Sequence, residues 1–307
     1  MLDKLVVVGG QVLILALLLA VGFAFGRFRL IGQAGMSAIT SLVLYAAVPC
    51  TLVDAFQVEL TADTLHSFFI ALAAGLGCHL FNFLVSWLLI REKNDQRKRV
   101  MVIGSTFTNC GFLGYPLMAA LIGPMGIFYG SPYNLVFNTF FWTVGVVYLE
   151  KGQRFDLKKA FLNPAVAGIA AGLLVFFTGL RLPALAEGAV SYLAGLAIPL
   201  PMLMIGCQLA FSDLRGALRA PVHWRLAVLR LLVLPFLEVL ALHLCGVQGD
   251  ILVATAISAA APPGSMVAMV AQRYDREAEF ASEMVSIQTL LSIFTIPLLV
   301  SLAQTLA

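Results

Sequence analysis

The chain has 307 residues, of which 61% are hydrophobic and 11% charged, with a formal net charge of +3 at pH 7. Soluble domains carry about 25% charged residues, so this composition excludes a soluble enzyme or binding module and describes a protein that crosses the bilayer several times. Five scattered cysteines without a C-x-x-C and four histidines without an H-E-x-x-H give neither a disulfide framework nor a metal site. No cofactor and no nucleic-acid partner is expected.

In chain order, apolar runs of about 20 residues mark membrane-crossing helices. Ten are read, over 5–26, 36–56, 67–90, 100–122, 126–149, 163–180, 189–210, 225–246, 251–271 and 284–306. The first run, Leu5 to Phe25, exceeds the roughly 7–15 apolar residues of a cleavable signal. Arg27 and Arg29 follow it where a cleavage site would stand, so it is taken as a retained helix. The two longest polar connections are Arg91–Arg99 and Glu150–Asn163. Sixteen of the 19 basic residues fall in the odd-numbered connections. By the positive-inside rule that side is cytoplasmic, which places both termini on the non-cytoplasmic side of a bacterial inner (plasma) membrane.

The fourth span contains Ser105 to Pro116, STFTNCGFLGYP, and the ninth contains Ser258 to Ser265, SAAAPPGS. Proline removes a backbone donor and glycine weakens a helix by about 1 kcal/mol, so both spans are expected to be broken. Paired interruptions in corresponding halves point to a transporter's binding site. Asn109-Cys110-Gly111 matches Pro262-Pro263-Gly264, Pro49 matches Pro201, and Arg29 matches Arg181, at offsets of 152 or 153 residues. The expected fold is therefore an all-α polytopic membrane protein, ten transmembrane helices in two inverted five-helix repeats with helices 4 and 9 broken. The first repeat is residues 1–149, a cytoplasmic linker 150–162, and the second repeat 163–307.

The motifs N-C-G-F-L-G-Y-P-L (Asn109 to Leu117), L-P-M-L-M-I-G-C-Q-L (Leu200 to Leu209), A-A-P-P-G-S (Ala260 to Ser265) and S-x-Q-T-L-L-S-x-F-T-I-P-L (Ser286 to Leu298) resemble those of the auxin efflux carrier family. The resemblance covers nearly the whole chain and is that of a bacterial member, without the long central loop of the plant PIN-FORMED proteins. It implies the fold of bile acid sodium symporters and sodium/proton antiporters, with a scaffold, a transport domain, and helices 4 and 9 crossing beside the substrate. It also implies an auxin-like or mono- or dicarboxylate substrate moved by an elevator-like alternating-access mechanism. The expected partners are a small organic anion and the lipid bilayer, and a homodimer is one assembly considered. A channel, or a proton- or sodium-coupled symporter of another small solute, is the alternative.

Candidate substrate-binding residues are Asn109, Cys110, Gly111, Ser105, Thr108, Pro262, Pro263, Gly264 and Ser265. Half-helix amino ends offer N–H groups and partial positive charge, which suits a carboxylate, and no lysine lies within any span. The alternative for Asn109 is a packing bond between helices, which averages about 0.6 kcal/mol. Gly114, Pro116, Pro49, Pro199 and Pro201 are read as shaping the breaks and bends. Gln208, His79 and Asn82 are read as substrate or proton support, each with a bland interhelix bond as its competitor. Glu238 is the deepest acid, a proton site or a structural acceptor. Arg230 precedes it by eight residues, about 12 Å of helical rise, too far for a direct pair; it is expected to snorkel toward the cytoplasmic end. The stretch Ile257 to Met269 has no acid, which argues against the carboxylate-based sodium site of the bile acid symporters. The pattern of an enzyme, a nucleophile beside a base, is missing.

Overall fold

A computed structural model describes residues 2–149, 164–212 and 218–307, and the linker expected over 150–162 lies outside them. The described chain is helical. It runs through α1 (Leu2–Arg27), α2 (Gln33–Leu42), α3 (Val48–Ala55), α4 (Ala62–Leu89), α5 (Asp95–Thr106), α6 (Tyr115–Leu121), α7 (Pro124–Phe140) and α8 (Val146–Leu149). It continues through α9 (Pro164–Thr178), α10 (Ala184–Gly195), α11 (Pro199–Ala210), α12 (Pro221–Val228), α13 (Leu234–Leu244), α14 (Gly249–Ala260), α15 (Ser265–Arg273) and α16 (Ala278–Leu306).

Among the described residues six helical stretches are long and apolar enough to cross a membrane: Leu5–Arg27, Ala34–Ala55, Ala62–Leu89, Ala184–Ala210, Pro221–Leu244 and Ala278–Leu306. Three shorter apolar helices are Cys110–Leu121, Pro164–Thr178 and Gly249–Ala260. The fourth and ninth apolar runs fall short because each is split into two helices. Several helices begin four to six residues before the apolar run that announces them, as α4 and α16 do. Their first turns are polar (Asp63 in one, Glu279 in the other), which suits the positive amino end of a helix.

Four stretches widen into π turns: Val43–Ala47, Cys110–Gly114, Phe141–Gly145 and Leu229–Val233. Three of them run directly into a helix whose second residue is proline: Pro49, Pro116 and Pro235. A proline ring collides with the carbonyl four residues back and offers it no N–H. Widening the preceding turn moves that carbonyl aside, so the helix continues rather than stopping. The expectation that Pro49 and Pro116 mark breaks is thereby corrected. Pro199 does follow an interruption, at Leu196–Ile198, and begins α11 together with Pro201.

The helices form two groups. In one, α1 lies on α11, and α3 lies on α9 and α10. Backbone meets backbone here. A Cβ added at Gly206 would stand 2.0 Å from the Leu19 carbonyl, and one at Gly22 would stand 2.1 Å from that of Leu203. Cys207 Sγ donates to the Gly22 carbonyl at 3.0 Å. On the other pair, a Cβ at Gly168 would meet Pro49 Cα at 2.9 Å and one at Gly172 would meet the Phe56 ring at 2.7 Å. Small residues that let helices approach are the chief adhesive where lipid removes the hydrophobic drive between them. The second group holds α4 to α8 and α12 to α16, with α4 on α7, and α14 on α7, α13 and α16. Its edge is fixed by Glu277, whose carboxylate accepts from Arg97 at 2.9 Å and from Asn94 at 2.8 Å.

Gly206→Val is expected to lower the unfolding midpoint of detergent-purified protein by the equivalent of about 1–3 kcal/mol or more, an overpacking cost. Gly9→Ala, where nothing stands within 4 Å of the new Cβ, should leave it unchanged. A differential scanning measurement on both variants checks this.

Candidate functional site

Helix α5 ends at Thr106 and α14 ends at Ala260, and after each the chain is extended for a few residues. The two extended pieces meet. Thr108 lies opposite Pro263 in an antiparallel bridge. Asn109 N–H donates to the Pro262 carbonyl at 2.7 Å, and Gly264 N–H donates to the Phe107 carbonyl at 3.0 Å. Each break thus supplies the partner that the other lost. The prolines fit because neither is asked for an N–H, while Pro262 contributes its carbonyl. Gly264 is needed for closeness: a Cβ there would sit 3.2 Å from the Thr108 carbonyl oxygen.

Helix restarts on both sides of this crossing. The Asn109 side chain accepts from Phe112 N–H at 3.3 Å and caps the π turn that leads into α6. Ser265 begins α15. Both new amino ends border one cavity of about 70 Å³, lined by Thr108, Asn109, Gly111, Gly264, Ser265 and the amides Asn134 and Asn138, among others. A single water needs about 10–15 Å³ by the same measure, so the space takes a few waters or a small polar group. Leu44, Val48 and Ala165 close it from the α1–α3–α9–α11 group.

Asn134 and Asn138 were not among the residues expected. Asn138 Nδ2 donates to the Asn134 Oδ1 at 2.7 Å, and Asn134 Nδ2 reaches Cys110 Sγ at 3.4 Å. The signal was present as two asparagines four apart in an apolar run, one helical turn and one face.

The cavity lies between two larger ones. A space of about 540 Å³ includes Met36, Thr40, Phe112, Gln208, Ser265 and Glu279. It shares Phe112 and Ser265 with the central cavity. A space of about 220 Å³ on the other side includes Thr51, Asp54, Tyr115, Pro116 and Gly123, and shares Tyr115. These two lie toward opposite ends of the molecule. The first borders the α15–α16 connection, where Glu277 pairs with Arg97, and the second borders the α6–α7 connection.

The other expected residues fall as follows. Cys110 is buried against Asn134. Ser105 is buried in α5 and lines none of these three cavities. Gly114 has open room, with Met118 the nearest neighbour at 3.6 Å. His79 is buried under aromatic rings, Tyr133 at 4.6 Å between centroids, and its Nδ1 lies 2.7 Å from the Gly75 carbonyl. A carbonyl only accepts, so Nδ1 carries the proton. Gln208 faces the large vestibule. Asn82 and Glu238 are buried away from the cavity.

Arg230 is the principal correction. It does not snorkel: it is fully buried, and its Nη2 donates to the carbonyls of Ala259 and Ala261 at 2.7 Å each. A helix that stops inside an apolar interior leaves its last carbonyls unpaired and the negative end of its dipole uncompensated. A guanidinium answers both needs, and it has several donors in a rigid fork where lysine has a point charge. The π turn at Leu229–Val233, forced by Pro235, carries this residue.

Broken helices bridged inside an apolar helical body, around a small cavity that three asparagines help to line, are the architecture of a membrane transporter. The profile of the family described as "Membrane transport protein" matches residues 7–157 and 151–300, and the chain belongs to this family, the auxin efflux carrier-like one that its motifs resemble. Among curated proteins it is 24% identical over 295 residues to an "Uncharacterized transporter" of Methanothermobacter thermautotrophicus, covering 94% of this chain and 95% of the relative. It is 24% identical over 300 residues to an uncharacterized transporter of Methanocaldococcus jannaschii, covering 94% and 96%. It is 25% identical over 286 residues to a "Putative malonate transporter" of Rhizobium meliloti, covering 87% and 88%.

Gly264→Ala is expected to loosen the bridge, so that amides over residues 107–112 exchange faster with deuterium than in the parent protein. Gly114→Ala, with ordinary contacts, should leave them unaltered. Hydrogen exchange read by mass spectrometry on both variants tests the geometry.

Proposed function

We propose that the protein is a secondary carrier of small organic anions, of the mono- or dicarboxylate class, that binds its substrate at the crossing of the two breaks and works by alternating access. The observation that carries this reading is the central cavity. Two restarted helices border it, at Gly111 and Ser265, and three asparagines line it. It therefore offers donors and partial positive charge without a fixed basic side chain. Such a site holds a carboxylate and still lets it leave. The relative named for malonate supports the dicarboxylate choice.

An elevator-like movement is supported by where the empty space lies. All three cavities have walls from both helix groups: α2 and α11 against α15 and α16, α3 and α10 against α6 and α7, and α3 and α9 against the breaks. Contacts within the first group are backbone-tight at Gly22 and Gly206, whereas the boundary between groups holds these open spaces. A tight frame with a loose boundary suits sliding of one group on the other. In this reading Phe112 and Tyr115 separate the site from the two vestibules.

The ten-span inverted repeat belongs to the same proposal. Exchange of repeats would pair the first span with the sixth and the second with the seventh. The contacts α1 with α11 and α3 with α9 are related in just that way. The charge asymmetry of the connections supports an orientation with both termini outside the cytoplasm.

Asn109→Ala is expected to abolish malonate exchange in reconstituted vesicles while folded protein is retained by size-exclusion chromatography. Near-parental exchange would remove Asn109 from the site. Flux should saturate and be stimulated by malonate on the far side; flux linear in concentration would favour a channel. A thermal-shift series with mono- and dicarboxylates and indole acids identifies the substrate. A true ligand at 100 times its Kd adds about 2.7 kcal/mol of stability.

A further inference from the structure

Behind the crossing, away from the cavity, lies a second polar cluster. Among the described residues Glu238 is the one buried acid and Arg230 the one buried arginine or lysine. Cys78 and Asn82 of α4 face the Glu238 carboxyl, and Tyr133 of α7 lies within its field. None of these closes a hydrogen bond of normal geometry. Both Glu238 oxygens, both amide atoms of Asn82, the Tyr133 hydroxyl, and Nε and Nη1 of Arg230 are buried with no partner. His79, in the field of Arg230, presents an equally unpartnered Nε2. These, with the Cys78 thiol, are the titratable and charged groups around Glu238. On its own helix His243 stands five residues away, and α14 and α16 turn no buried charged side chain toward it.

Arg230 spends its two good bonds on the end of α14, so its charge acts on the Glu238 carboxyl without a closed ion pair. The cluster is nevertheless wired to the crossing. Arg230 holds the Ala261 carbonyl, and the next carbonyl, of Pro262, accepts the Asn109 amide.

We propose that Glu238 is a proton-binding site of this carrier, linked to the anion through the shared charge of Arg230. The proposal rests on the reading of the crossing as an anion site. The chemistry is a protonation: a proton from water binds one carboxylate oxygen, no bond breaks, and the same proton is released to water on the other side. Charge balance decides the order. With the site empty, Arg230 and ionised Glu238 sum to zero. When a carboxylate enters the crossing, a second negative charge shares the one cation, and uptake of a proton by Glu238 restores neutrality. Anion without proton, or proton without anion, leaves a net charge on a unit that must move within lipid. Linkage makes the effect reciprocal: the anion tightens proton binding and the proton tightens anion binding. Co-transport of one proton with each anion follows.

The test has two arms. In vesicles loaded with a pH-sensitive dye, malonate entry should acidify the lumen, and the protons counted per malonate should fall by one in Glu238→Gln. The ratio is insensitive to how much of the variant folds or works. An unchanged ratio, or a parental ratio of zero, overturns the proposal. In the second arm, pH-difference infrared spectra of the reconstituted protein without substrate should contain the carbonyl stretch of a protonated carboxyl that Glu238→Gln lacks. A spectrum identical in parent and variant overturns it as well. Parent vesicles that fail to exchange malonate would instead sink the substrate reading, leaving the infrared arm to decide Glu238.

Discussion

Two backbone hydrogen bonds, Asn109 N–H to Pro262 and Gly264 N–H to Phe107, are the constraint on which the rest depends. Inside lipid a helix cannot stop without leaving N–H and C=O groups unpaired, and each such group costs several kcal/mol. One broken helix alone would be unstable there. Two broken helices placed back to back satisfy one another, so neither break is intelligible without the other. The residual demand falls on the end of α14, where the Ala259 and Ala261 carbonyls take the Arg230 guanidinium. The groups freed by the two breaks are thereby met with backbone atoms and one buried cation.

From this follows the division of the helices. The breaks, α7 and α13 are tied together by the Asn134–Cys110 contact and the Arg230 link. The pairs α1–α11 and α3–α9 are joined by glycine at distances that admit no side chain. What remains between the groups is an incompletely filled boundary, apolar in much of its extent, that contains the cavities.

Much of this was legible in the residues. The interruptions at Asn109-Cys110-Gly111 and Pro262-Pro263-Gly264 announce themselves, because proline and glycine act on the chain locally. The family is legible in the same motifs. Individual roles were less so. Pro116 reads as a breaker but sits in a helix that continues through it, since the π turn before it relieves its clash. Asn134 and Asn138 passed unnoticed, since an amide pair in an apolar helix has no mark to say which cavity it faces. Arg230 was misread because a lone arginine in a span has a generic escape to the interface, and only a neighbouring helix end gives it reason to stay.

The sequence by itself determined that the chain is apolar and polytopic, where its helices fail, and which transporter family it belongs to. These properties are summed along the chain or act over a turn or two. The tertiary structure alone decided that Thr108 meets Pro263, that Asn134 and Asn138 share a wall with Asn109, and that Arg230 closes α14. Each joins residues more than 20 positions apart, and such contacts depend on how faces of different helices are turned toward one another, which no local pattern encodes.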